Sequence, residues 1–88
     1  MSQAVIRHLP EQQCFVLDVQ GQQARLDYQL STDAAGKPMQ VNFTHTFVPE
    51  VARGQGLAEQ LVRAGLSWAR ARQLQIVASC WYVAKFLR

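Results

Sequence analysis

Between residues 24 and 30 apolar and polar positions alternate, with Ala24, Leu26, Tyr28 and Leu30 on one face and Arg25, Asp27 and Gln29 on the other. That is the period-two signature of a half-buried strand. Shorter runs of β-branched, aromatic or alternating character occupy Ala4–Leu9 and Cys14–Val19, and polar turn material such as Gln20-Gly21-Gln22 separates the runs. Together they read as an antiparallel meander. The stretch Ser31–Pro38, STDAAGKP, has the composition of a loop or turn. A fourth strand is predicted from about Met39 to Val48, with Val41, Phe43 and His45 sharing one face and Asn42, Thr44 and Thr46 the other. Phe47 and Val48 blur the alternation just before Pro49, which allows a bulge there.

Beyond Gly56 the period changes. Leu57, Ala58, Leu61, Val62, Gly65, Trp68 and Ala69 recur at helical spacing, and Glu59, Arg63 and Arg70 occupy the opposite side. Glu59 and Arg63 stand at i and i+4 in the favourable order, a gain of ~0.3 kcal/mol. Gly65 costs about 1 kcal/mol relative to alanine in an exposed helix, and close packing of helix on sheet is one reason to keep it. A fifth strand is expected over Leu74–Ser79, then a short terminal helix over Trp81–Arg88 that starts near Ser79 or Cys80. The order is four strands, helix, strand, helix, an α+β class in one domain over residues 1–88, with no internal repeat and no linker.

Composition limits what such a domain can hold. Its 88 residues suffice for one modest core, so an active site must be shallow or borrowed. With 49% hydrophobic and 17% charged residues the chain is ordinary globular material and not a disordered one. Charge is uneven: residues 51–88 carry six Lys/Arg against the lone Glu59, +5, and residues 1–50 carry −2. The basic half suits a polyanion, either nucleic acid or a nucleotide cofactor, although a solvated basic helix face accounts for the charge equally well. No apolar run approaches the ~20 residues of a membrane span, and MSQAVIRHLPEQQ lacks the apolar core of a signal peptide, so a cytoplasmic location is expected. Cys14 and Cys80 have neither CxxC nor zinc-finger spacing, so both are expected to be free thiols and no metal site is indicated.

The stretch His45–Ala58, HTFVPEVARGQGLA, carries the chemistry. An extended run ends at a proline and opens into an arginine and glycine loop that starts a helix. Gly54 and Gly56 let the backbone turn sharply and approach a ligand, and the helix start offers unpaired N–H groups and partial positive charge to an anion. No Lys-Ser/Thr follows the second glycine, so this is not a P-loop, and no third glycine completes a dinucleotide fingerprint. What remains is Arg-x-x-Gly-x-Ala, Arg53 to Ala58, behind a strand ending in Val48-Pro49.

This pattern resembles the pyrophosphate loop of the Gcn5-related N-acetyltransferase superfamily, Gln/Arg-x-x-Gly-x-Gly/Ala, matched by Arg53, Gly56 and Ala58. Residues 45–83 are similar to the small single-domain branch typified by the bacterial YjdJ-like proteins. The matching features are His45-Thr46, Val48-Pro49, Arg53-Gly54-Gln55-Gly56 and Cys80-Trp81-Tyr82-Val83. The first half matches only as a compatible meander. The resemblance implies a minimal fold of that superfamily: a mixed, mostly antiparallel five-stranded sheet whose fourth and fifth strands splay. It lacks the extra helices that wall the acceptor site in larger members, so an open acceptor cleft is expected. Members of the small branch continue for several residues past the equivalent of Phe86-Leu87-Arg88, so that end of the site is expected to be incomplete or differently built.

The implied ligand is acetyl-CoA, with no metal. Amides of Gly54, Gln55, Gly56, Leu57 and Ala58 would cradle the pyrophosphate, with Arg53 adding charge. Extended backbone at Phe47 and Val48 would pair with the pantetheine amides as a peptide pairs with a sheet edge, and Pro49 would help end the strand pairing there. Cys80, between a strand and a helix, sits where a thiol pKa can fall, which would let it carry the acetyl group; packing as a small hydrophobe fits it equally. Cys14, in the first hairpin, reads as core. His45 has the residue type for a general base in direct transfer, and a core histidine is the alternative. Tyr82 could protonate the departing thiol or simply pack at the helix start, while His8 shows no partner in the sequence. The expected partners are thus a CoA thioester and an amine acceptor of unspecified kind, on a monomer or weak homodimer whose sheet edges are free. A non-catalytic acyl-CoA binding or sensing module is the alternative function. Nucleic-acid binding is disfavoured because Trp68, Trp81 and Tyr82 do not interleave with arginines on one face.

Overall fold

The computed structural model describes residues 5–19, 21–54 and 56–87. Five strands form one sheet in the order β1-β2-β3-β4-β5: β1 (Ile6–Leu9), β2 (Cys14–Val19), β3 (Gln22–Thr32), β4 (Pro38–Phe47) and β5 (Gln75–Ala78). β1 to β4 pair antiparallel, and β5 returns parallel to β4 after a crossover through α1 (Leu57–Ala71). A short α2 (Trp81–Lys85) follows. The architecture is therefore α+β, with a mixed sheet and the strand and helix order read from the sequence.

The expected loop before β4 is shorter than its composition suggests. Strand pairing runs out to Thr32 opposite Pro38, and the remaining turn is organised by Asp33, whose carboxylate accepts the amides of Ala35 and Lys37, each at 2.9 Å. The strand ends flanking this turn are exposed on both faces, so no apolar period marks them.

Only one sheet face carries the main core. Leu17, Leu26, Tyr28, Val41 and Phe43 project against Leu57, Leu61, Val62, Leu66 and Ala69 of α1, and Val83 of α2 joins them. Gly65 lies at the closest approach, where an added Cβ would stand 2.9 Å from both Leu26 Cδ2 and Phe43 Cε1. Helix and sheet thus meet so closely at this point that even a methyl group would have to displace its neighbours.

His8 has partners after all. Its ring stacks on Phe15 at 4.1 Å, Nε2 lies 2.6 Å from the Tyr28 hydroxyl, and Trp68 meets it edge-on at 4.8 Å. Burial first, and the Arg72 cation second, hold its pKa below the ordinary histidine value. The opposite sheet face is more polar and carries the ion pairs Arg7–Asp18 and Arg25–Asp27. Cys14 and Val16 are buried on that side, Cys14 as a packed free thiol.

The β4 strand breaks its own alternation, but not where Phe47 and Val48 suggested. Tyr28 pairs with Phe43 while Asp27 pairs with His45, so Thr44 is an extra residue in β4. One extra residue inverts every later side chain. His45 therefore leaves the face of Val41 and Phe43, joins Asp27 on the far side and is exposed. The alternative of a core histidine is thereby ruled out, and the expectation of a shared face is corrected. Thr46 makes the reverse change and pairs with buried Leu26.

Candidate active site

The same extra residue opens the sheet. Pairing of β4 with β5 ends at Phe43 opposite Ala78, and beyond it, among the described residues, Thr44–Phe47 has no strand on that side. The parting point is pinned. The amides of Ser79 and Cys80 both donate to the Phe43 carbonyl, at 3.1 and 3.2 Å. Asn42 clamps the turn from the side chain, accepting the Ser79 amide at 3.0 Å and donating to Ser79 Oγ at 2.9 Å. A cleft of about 510 Å3 occupies the gap, lined by Thr44–Val48 from β4 and its exit, Arg53 and Ala58 from the loop and α1, and Ser79–Tyr82.

A second hollow of about 160 Å3 adjoins it and shares Val48, Arg53, Ala58 and Tyr82. Its floor is the glycine turn. Gly54 and Gly56 have φ of 82° and 73°, the left-handed region that a side chain disfavours, and an added Cβ at either would meet nothing within 4 Å. Apart from the chain neighbours, no described residue crowds the backbone here. Gly56 precedes α1 and has no side chain to cap it, so among the described residues no side chain competes with an anion for the first-turn amides of this 15-residue helix. Glu59 in that turn is directed to Arg63, 3.3 Å away. Arg53 Nε donates to the Val48 carbonyl at 3.1 Å, which ties the loop to the strand end and occupies one acceptor expected to face a ligand.

Cys80 is half-buried at the entrance to α2. Its sulfur lies 3.6 Å from Thr46 Oγ1, a contact that exists only because of the inversion in β4. Desolvation pushes the thiol up, but the Val83 amide, the Thr46 hydroxyl and the amides of Tyr82 and Thr46 together outweigh it, leaving the pKa below the ordinary thiol value. Tyr82 moves the other way: burial, then the Glu59 charge, raise its phenol. The site thus sets a thiol that ionises early beside a phenol that keeps its proton.

Of the residues expected from sequence, Cys80, His45, Tyr82, Phe47, Val48, Arg53 and Ala58 line the larger cleft, and Gly54, Gly56 and Leu57 line the smaller. Gln55 lies outside the described residues. The Leu57 side chain belongs to the core, so only its backbone can serve a ligand. A family profile described as GCN5-related N-acetyl-transferase matches residues 14–88. The chain belongs to the GCN5-related N-acetyltransferase family. Within that family, 48 of its residues, 54% of the chain, are similar to Protein NATD1 of Bos taurus (38% identical, 42% of that protein). The same length matches Protein NATD1 of Homo sapiens (35%, 42% of that protein) and of Gallus gallus (35%, 44% of that protein). The matched stretch thus spans less than half the length of these relatives. For a GCN5-related N-acetyltransferase domain, the residues that sequence reading missed are Thr46, Asn42 and Ser79. Nothing in a strand pattern marks an inserted residue, and without it Thr46 faces away from Cys80.

Proposed function

We propose that the chain binds acetyl-CoA across the two adjoining clefts and transfers the acetyl group to an amine. The observation that carries this is the meeting, in one continuous depression, of a bare glycine turn, an uncapped helix start and the unpaired end of β4 beside Cys80 and Tyr82. The residues fit the ligand. Open space over Gly54 and Gly56 suits a pyrophosphate, and the first-turn amides of α1 and the Arg53 guanidinium supply positive partners. The free edge of Thr44–Phe47 offers main-chain groups to an amide-bearing arm. Acetyl-CoA supplies the activated acyl group.

The chain's own groups then divide the proton work. A neutral amine attacking the acyl carbon releases CoA as a thiolate, and the Tyr82 phenol is suited to protonate it. Exposed His45 accepts the proton that the amine loses. The lowered thiol pKa at Cys80 supports a route in which its thiolate takes the acetyl group first and hands it to the amine. Intact mass after incubation with acetyl-CoA distinguishes the routes. One thioester-linked acetyl, released by hydroxylamine, that disappears in Cys80→Ala supports the covalent route, and equal hydroxylamine-labile labelling of the variant removes it.

Calorimetry with acetyl-CoA, CoA and dephospho-CoA tests the reading as a whole. Acetyl-CoA and CoA are expected to bind with similar affinity, since both carry the pyrophosphate. Absence of heat with either would sink it. Binding without consumption of acetyl-CoA over a panel of amines would favour a non-catalytic acyl-CoA module, a reading that the openness of the cleft toward exposed Trp81 also accommodates.

A further inference from the structure

The chain contains two lysines, and the fold treats them differently. Lys37 belongs to the β3–β4 turn, where its amide donates to Asp33. Along β4 it lies about 23 Å from Thr44, where the cleft begins. Lys85 is the last residue of α2, and its ammonium sits over two rings at once, 5.3 Å from the centroid of Trp81 and 5.0 Å from that of Tyr82. Both rings line the larger cleft. The lysine is exposed, as is Trp81, so its stem is free to swing while the rings keep the nitrogen close. The amine thus rests against two rings that line the cleft, while Lys85 itself is not among the lining residues.

We propose that Lys85 is itself an acetyl acceptor, modified within the same molecule from acetyl-CoA bound in the adjoining cleft. This rests on the acetyl-CoA reading given above. The ammonium first loses a proton to solvent. The freed nitrogen pair attacks the thioester carbonyl carbon, the C–N bond forms and the C–S bond breaks. The electron pair leaves on the CoA sulfur, which takes a proton from Tyr82, and the phenolate regains one from the nitrogen. The products are acetyl-Lys85 and CoA thiol. Acetylation removes the cation from both rings and lowers the charge of the basic half by one.

The experiment incubates the full chain with isotopically labelled acetyl-CoA and, in parallel, with acetyl phosphate, which carries an acetyl group but no nucleotide. Peptide mass mapping follows Lys85 and Lys37 over time, and calorimetry follows acetyl-CoA binding. Proximity predicts labelling of Lys85 at least roughly tenfold faster than of Lys37 with acetyl-CoA. No such preference is expected with acetyl phosphate, and the rate should not depend on protein concentration. Lys85→Arg, which keeps the charge over the rings, should bind acetyl-CoA and lose only that adduct. If acetyl-CoA binds yet Lys85 reacts no faster than Lys37, the proposal is overturned while the acetyl-CoA reading stands. The same preference with acetyl phosphate, or a rate that rises with protein concentration, also overturns it. If acetyl-CoA does not bind, the reading beneath it falls as well.

Discussion

Thr46 reaches the Cys80 sulfur only because Thr44 is one residue too many for the β4 ladder. The consequence is chemical, since the Thr46 hydroxyl is one of the groups that favour the thiolate against desolvation. A lowered pKa means that the thiolate is populated at lower pH, so the alkylation rate of Cys80 by iodoacetamide should reach half its maximum at a pH below that of a free thiol. Thr46→Val removes the donor and should move the midpoint upward; an unmoved midpoint would show that the contact does not tune the sulfur. Buried Cys14 serves as an internal control and should react only on unfolding. The residue types for this chemistry were readable in the sequence, since His45, Cys80 and Tyr82 all line the cleft. Their orientations were not. A strict period-two reading puts His45 beside Phe43 and Thr46 on the far face, and a single inserted residue exchanges them.

At the level of elements, the strong periods were reliable. β2 begins and ends where its apolar run does, and α1 starts at Leu57, directly after the glycine turn. The ends of β3 and β4 were less readable because their residues face water on both sides and are set by Asp33 in the turn. Gly65 was the sequence's clearest hint about packing between elements. Alanine there gains about 1 kcal/mol of helix propensity, but its Cβ must enter space held by the fully buried Leu26 and Phe43. Overpacking of this kind costs about 1–3 kcal/mol. Gly65→Ala should therefore destabilise the domain by about 1 kcal/mol net, read as a lower urea midpoint with an unchanged slope. An unchanged or higher midpoint would mean that α1 can rise off the sheet at little cost.

The whole molecule is a thin plate, 45 × 27 × 18 Å, with one helical layer on one sheet face. The elements that border the site are short. β5 has four residues and α2 five, and the backbone beyond Ala78 is held by hydrogen bonds to Phe43 and Asn42 and by Val83 in the core. A ligand that spans the glycine turn, the end of β4 and Tyr82 would connect three segments that are joined to each other mainly through the core. Binding to the folded state alone stabilises by about 2.7 kcal/mol at a hundredfold excess over Kd. In a domain of this size that corresponds to a rise in Tm of about 10–20 °C, large because so small a core has a small unfolding entropy. Scanning calorimetry with increasing CoA should show Tm climbing with the logarithm of ligand concentration. In Arg53→Ala the climb, measured from that variant's own baseline, should need a higher concentration, because the guanidinium that ties the loop to Val48 would also be lost to the anion. Acetyl phosphate, which lacks the nucleotide, should leave Tm where it is. A Tm indifferent to CoA would mean that the cleft is not a CoA site. An equal climb with acetyl phosphate would mean that the helix start binds anions without recognising the rest of the molecule.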